Sequence, residues 1–365
     1  MRHDRIITWA LTGSVGFGLA VGTLLFWRVG FTPVLDAFSS ASGGLILAYL
    51  GVSIAIALAL TWKWRIILDA YDAKLPFYTL FIYRLIGFAV SYVTPTAHVG
   101  GEPVRALLLT KQGIPLKLSF ATAIVDRSIE VLFNILFFFI GALIIVNMAS
   151  VPLMERAFTF LLSLIILVLA TVLVFHIVGK RRVLVPLCEA LGATRLQRWP
   201  QWRDALNEME LLIEHFYANR KKQFFQALTV NTLLWVLMYF EYKIALLLLG
   251  YDAGVLSIFV FLTGVGIAYS IPIPAALGVL ELGQVTAAAL LHVSPAIALA
   301  LSAIIRARDI IWTLIGITLL GAFHQNFFHL YEKSQQAARE NNFAVLKLEL
   351  RVLRNEQKLK RRGAE

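Results

Sequence analysis

The sequence predicts an all-α polytopic membrane protein. About six full transmembrane helices are expected, plus two oppositely oriented re-entrant helical hairpins that form an inverted repeat. Three observations lead there: a composition too apolar for a soluble chain, apolar runs of spanning length, and two polar-interrupted segments that copy one another. Residues AVILMFWYC make up 59% of the 365 and charged residues 15%, whereas soluble domains run nearer half apolar and a quarter charged. One cysteine, Cys188, excludes an intramolecular disulfide and a cysteine metal cluster. The seven histidines form no HExxH pair, and His324 and His329 are five apart, off a common helical face. No cofactor and no metal is expected. The net charge of +11 suits anionic lipid headgroups rather than nucleic acid.

The N-terminus reads MRHDR and runs into an apolar stretch ending near Trp27. That is too long for a signal h-region and has no clear cleavage site, so a retained first span is expected. Further stretches at about 43–62, 118–147, 157–179, 223–249 and 296–322 reach the roughly 20 helical residues a hydrocarbon core requires. Segments 77–116 and 255–293 differ, each holding two shorter apolar halves joined by Pro- and Gly-containing sequence. The first contains PTAHVGGEPVR at 95–105. Both read as hairpins that enter and leave by one face.

Charge tests this topology. With Arg2 and Arg5 inside, the second span delivers Lys63, Arg65 and Lys74 to the cytoplasm, and a hairpin returns Lys111 and Lys117 to that side. The basic loop 180–222 and the tail ending KLKRR then also fall inside, as the positive-inside rule expects. Both termini are therefore placed in the cytoplasm. Within 200–220, Trp202, Leu206, Met209, Ile213 and Phe216 recur at helical spacing, which fits a helix on the inner membrane surface or a plain connector. The organisation is a membrane domain over 1–325 and a basic cytoplasmic helix over 326–365. Repeat 1 spans about 43–147, the amphipathic loop 180–222, and repeat 2 about 223–322. LKLELRVL at 346–353 alternates like a strand, so the tail's periodicity leaves both forms open.

Shifting the chain by 179 residues lays Gly87 on Gly266, Ser91 on Ser270, Pro95 on Pro274, Glu102 on Glu281, Ala121 on Ala300 and Arg127 on Arg306. Three spans lie between the hairpins, and an odd number reverses orientation. Inverted repeats of this kind are common in secondary transporters, where paired broken helices build a substrate site near the midplane. An old duplication serving as a scaffold is the competing reading. Pro95, Gly100, Gly101, Pro272, Pro274 and Gly278 break the hairpins. Irregular backbone at membrane depth survives where protein or a water-filled cavity satisfies it, although these residues also make tight turns.

Charges concentrate at the same places. A charge at the bilayer centre costs about 2.5–3.5 kcal/mol on insertion scales, so each needs a partner or a ligand. Candidate substrate-binding residues are Glu102, Arg105, Arg127, Glu281 and Arg306, with Asp126, Glu130, Arg308 and Asp309 as supporting charges. An arginine fork matches a lipid phosphate through two parallel N–H groups; internal salt bridges are the alternative. Glu102 and Glu281 are candidates to carry protons. Glu241 and Lys243, near the outer end of a span, are expected at the interface. No nucleophile–base pair, DDxxD-like motif or histidine cluster is visible, so no catalytic residue is assigned.

The run PTAHVGGEPVRALLLTKQGIPLKLSFATAIVDRSIEVL resembles the first signature of the lysylphosphatidylglycerol synthase transmembrane region, and IPIPAALGVLELGQVTAAALLHVSPAIALALSAIIRARD resembles its second. The resemblance covers roughly residues 5–325 and implies a bacterial inner-membrane protein of a family that includes flippases. Some stand-alone members of that family are linked to hopanoid or glycolipid pathways. Glu102, Arg105 and Arg127 match the first motif; Glu281 and Arg306 match the second. Two departures stand out. A PGGxG-like loop reads PAALG here, with Ala275 and Ala276 in place of glycines. The aminoacyltransferase domain of the full-length synthases is not expected in this chain. The expected function is movement of a polar-headgroup lipid between leaflets, with membrane lipids and lipid-biosynthetic enzymes as candidate partners. A lipid-synthesis scaffold and an intramembrane lipid-modifying enzyme are the alternatives.

Overall fold

A computed structural model describes residues 23–25, 27–96, 100–146, 184–190 and 199–324, with isolated positions between 154 and 194. Every regular element among these residues is helical. A short helix α1 (Phe31–Asp36) and a 3-10 turn (Ala37–Ser40) lead into α2 (Gly43–Asp69). Ser42 caps α2 from an extended backbone, its Oγ accepting the Leu45 N–H at 3.3 Å. Then come α3 (Phe77–Val93), α4 (Gly101–Thr110) and α5 (Leu116–Val146). After α6 (Leu184–Ala190) and α7 (Trp199–Asn219) the order recurs as α8 (Lys221–Leu248), α9 (Val255–Ser270), α10 (Val279–Leu290) and α11 (Pro295–His324). A 3-10 turn (Pro274–Ala276) separates α9 from α10.

The repeat read from side chains is also a repeat of helix ends. Shifted by 179, the bounds of α2 become 222–248, beside the observed 221–248; those of α5 become 295–325, beside 295–324. The hairpin helices α3 and α4 fall within two residues of α9 and α10 in the same way. The equivalent helices α2 and α8 lie side by side and run antiparallel. Lys63, late in α2, bonds Asn231, early in α8, at 3.2 Å, while Tyr49 near the start of α2 lies beside Glu241 and Tyr242 near the end of α8. The two helices matched by the shift thus touch while pointing in opposite directions.

Each repeat also lends its long last helix to the other's hairpin: α11 packs on α3, and α5 on α9. Small residues permit the approach. A Cβ on Gly316 would stand 2.3 Å from the Leu85 carbonyl oxygen, and one on Gly141 would stand 2.2 Å from Thr263 Oγ1. Phe137 of α5 stacks on Trp235 and Phe259, with ring centroids 4.1 and 4.8 Å apart. Within the first hairpin α3 and α4 run antiparallel, tied by Gly101 N–H to Ser91 Oγ at 2.7 Å and Gln112 Nε2 to Tyr83 OH at 2.9 Å. A Cβ on Gly101 would lie 2.1 Å from the Gly87 carbonyl oxygen, so only glycine fits there. In the second hairpin Gly264 and Gly283 meet in the same manner.

By length and composition α2 and α8 are each able to cross a membrane. The 31 residues of α5 and 30 of α11 are longer, but they carry charges partway along. At about 1.5 Å per residue, the 17-residue α3 falls short of a hydrocarbon core about 30 Å thick. The expected spans at 6–27 and 157–179, most of loop 180–198 and the tail from 325 lie outside the described residues, isolated positions apart.

Of the amphipathic face read in 200–220, the far half is packed, Leu206 and Met209 are half-buried and Trp202 is open. Leu212, Ile213, Phe216 and Tyr217 of α7 are buried in the repeat 1 core, while Trp202 stays 59% exposed. Tyr71 OH donates to the Leu212 carbonyl at 2.7 Å, Ser128 and Tyr217 share a hydroxyl contact at 2.6 Å, and Lys117 pairs with Glu208. Burial lifts the Tyr217 phenol to about 12, against the opposing bond from Ser128.

Candidate functional site

Helix α5 presents Asp126, Arg127 and Glu130 to three neighbours: Lys63 from α2, Arg84 from α3, and Glu102 and Arg105 from α4. Asp126 is fully buried and accepts from Arg84 Nη1 at 2.8 Å and Arg105 Nη1 at 3.0 Å. Lys63 Nζ stands 3.1 Å from its other oxygen, an ion pair without hydrogen-bond alignment. Glu130 accepts from Lys63 at 2.8 Å, Arg84 Nη2 at 3.1 Å and Arg127 Nη1 at 3.1 Å. Arg105 reaches Glu102 at 3.5 Å, and its guanidinium carbon sits 4.9 Å from the Trp64 ring centroid. Four cations thus face three carboxylates. Arg127 alone among those cations is 28% exposed at its side chain, and only one of its five N–H donors is engaged in that pair.

The second cluster is built by α8, α9, α10 and α11. Arg308 bridges Glu241 Oε2 at 2.5 Å and Asp309 Oδ1 at 2.8 and 2.9 Å, and Asp309 Oδ2 accepts from Tyr269 OH at 2.5 Å. Arg306 forks onto Glu281, through Nε to Oε1 and through Nη2 to Oε2 at 2.8 Å. It also donates to the carbonyls of Ala275 at 2.9 Å and Ala276 at 3.2 Å. Here two cations face three carboxylates.

Arg306 therefore holds the tip of the second hairpin. Ala275 and Ala276 both lie in the left-handed region, at φ 53° and 48°, a conformation costing an alanine about 1–2 kcal/mol. Gly278 follows at φ 71°, where glycine carries no such cost. The alanines noted in PAALG thus stand where glycines would be relaxed, and the guanidinium holds their carbonyls in place. The tip packs on the end of α3, and Tyr92 of that helix comes within hydrogen-bonding reach of Arg306. In the first tip, Gly100 N–H donates to Thr96 Oγ1 at 2.8 Å beyond the Pro95 bend, and a Cβ on Gly100 would meet Thr94 Oγ1 at 2.4 Å. Residues 97–99 lie outside the described residues.

Geometry gathers Glu102, Arg105, Asp126, Arg127 and Glu130 in one cluster, and Glu281, Arg306, Arg308 and Asp309 in the other. Two expectations are corrected. Lys63 was grouped with the cytoplasmic basic residues, but it is fully buried because two carboxylates of α5 surround its ammonium. Glu241 was placed at the interface, but only 2% of it is exposed, because Arg308 draws it into the core. Lys243 does sit toward the end of its helix, paired with Asp252 and the Ala253 carbonyl. Sequence reading also missed Arg84 and Tyr269. Arg84 had a signal, as the one charge in the run 77–93; Tyr269 had none. A further signal was available in the shift of 179, which lays Glu130 on Asp309 and so repeats an Arg-x-x-acid pattern.

Residues 11–319, which contain both clusters and both tips, match the family described as the lysylphosphatidylglycerol synthase TM region. The chain belongs to this family. A similar protein is a UPF0104 membrane protein of Methanothermobacter thermautotrophicus, 25% identical over 295 residues, 76% of this chain and 85% of that one. Another from the same organism is 31% identical over 116 residues, 31% of this chain and 33% of its own length. A UPF0104 membrane protein of Methanocaldococcus jannaschii is 28% identical over 145 residues, covering 39% of this chain and 41% of that protein. This family member is thus an all-α membrane protein of a lipid-related family, matched over 85% of one of these relatives and under half of the other two.

Proposed function

We propose that this protein moves a polar-headgroup lipid between the leaflets of the cytoplasmic membrane. The headgroup passes between the two hairpin tips while the hydrocarbon tail stays in lipid. The observation that carries the reading is the meeting of a charged, broken-helix tip with the opposite repeat, inside a frame of two inverted repeats. In this reading α2, α5, α8 and α11 are full spans, joined by those read at 6–27 and 157–179. The hairpins α3–α4 and α9–α10 are re-entrant from opposite faces, and both termini are cytoplasmic. The surplus positive charge of the first cluster favours an anionic headgroup, and Arg127 is the residue with donors to offer it. Arg306 has the different task of fixing the second tip.

The test is leaflet transfer of fluorescent phosphatidylglycerol in proteoliposomes. Arg127→Ala is expected to slow transfer about tenfold or more, the weight of one charge-assisted hydrogen bond, at unchanged thermal stability. Arg306→Ala is expected to lower both transfer and stability. Transfer at the wild-type rate in Arg127→Ala would defeat the site assignment; no transfer by the wild-type protein with any headgroup would defeat the function.

A further inference from the structure

Deep between α2 and α8, beside the second cluster, three oxygens have no hydrogen-bond partner among the described residues: Tyr49 OH, Tyr242 OH and Glu241 Oε1. Their residues are 5%, 3% and 2% exposed. They come from two helices yet share one electrostatic neighbourhood, since both phenols feel Glu241, Arg308 and Asp309. Buried polar atoms are almost always satisfied, and those that are not point to a bound ion or water. Charge decides between the two. Arg308 neutralises one of the carboxylates Glu241 and Asp309, and Arg306 is consumed by Glu281. Among the described residues a net negative charge is left at a buried position. Water supplies hydrogen bonds but leaves that charge uncompensated, at high cost in low dielectric. One monovalent cation removes the charge and satisfies the oxygens together.

We infer that Glu241 Oε1, Tyr49 OH and Tyr242 OH form a binding site for a small alkali cation. Oxygen donors of this kind, one carboxylate and two hydroxyls, suit a hard ion such as Na+. The free oxygen of Glu241 is the one not taken by Arg308, which occupies Oε2. The ion therefore sits on the side of the carboxylate away from the guanidinium. Because the site joins α2 of one repeat to α8 of the other, its occupancy stabilises the arrangement in which those antiparallel helices are closed on each other.

The experiment uses the purified full-length protein in detergent. Thermal unfolding and binding of radiolabelled Na+ are measured in NaCl against choline chloride at equal ionic strength, without lipid transfer as a readout, so the site stands or falls apart from the proposed function. A saturable rise in Tm with Na+, and saturable label bound, are expected. Competition by K+ for the same label also supports an alkali-ion site. Tyr49→Phe and Tyr242→Phe, which keep the ring packing, are expected to weaken Na+ binding about tenfold each, and Glu241→Gln to abolish it. The phenylalanine variants keep the test open if Glu241→Gln does not fold. Equal Tm in NaCl and choline chloride with no bound label would overturn the proposal, as would a dependence on pH alone. Label bound equally by the wild type and both phenylalanine variants would do the same.

Discussion

The two charge clusters occupy one frame with opposite polarity. In repeat 1 the cation stands on the first long helix and the carboxylate on the last, as Lys63 and Glu130. In repeat 2 the carboxylate stands on the first and the cation on the last, as Glu241 and Arg308. Both pairs span 67 residues of sequence. The surplus charge reverses with them, positive in the first cluster and negative in the second. The two halves thus share helix ends and the Arg-x-x-acid pattern but differ in which helix carries the cation. Under the two proposals above, the first cluster takes an anion and the second a cation.

The largest test of this asymmetry compares Asp126→Asn with Asp309→Asn. Asp126 is approached by three buried or nearly buried cations, so neutralising it leaves the four cations of the cluster facing only Glu102 and Glu130. Asp126→Asn is expected to cost about 3–5 kcal/mol. Arg308 keeps Glu241 when Asp309 is neutralised, and that loss is expected to be about 1–3 kcal/mol. Unfolding followed in detergent micelles measures both. Equal losses would erase the distinction between a cation-rich and an anion-rich cluster.

The two equivalent helix crossings give the next contrast. A Cβ at Gly316 meets the backbone of Leu85, which cannot turn away, whereas a Cβ at Gly141 first meets the Thr263 side chain, which can. Gly316→Ala is expected to destabilise by about 1–3 kcal/mol and Gly141→Ala by less, read as a difference in Tm. The smallest effect belongs to the tip. Ala275→Gly and Ala276→Gly relieve left-handed alanines, offset by added freedom in the unfolded chain, and each is expected to stabilise by up to about 1 kcal/mol. Destabilisation in both would mean that Arg306 does not hold a strained loop.

Much of the helical frame is legible in the sequence. The ends of α5, α8 and α11 fall within two residues of the apolar runs read from sequence, because a spanning helix needs a continuous apolar stretch. Helix α2 instead continues to Asp69, seven residues past its run, through Lys63 and Arg65. The spacing of three between Glu102 and Arg105 permits contact on a helix, and on α4 they meet at 3.5 Å. Lys63 was misread because its sequence neighbours Arg65 and Lys74 make it look like part of a cytoplasmic cluster. Only the turn of α2 aims its ammonium inward, away from the exposed Arg65. Glu241 misled through its place late in α8, where the turn of the helix sets it against Arg308.

The sequence by itself determined the apolar helices, the two tips and the duplication at 179 residues, since each rests on local composition or on identities along the chain. Tertiary structure decided which cation meets which carboxylate, and therefore the sign of each cluster. Those pairs join helices that are distant in sequence and depend on how each helix is rotated about its axis. A shift of one residue turns a side chain by about 100°, and no local pattern records that rotation.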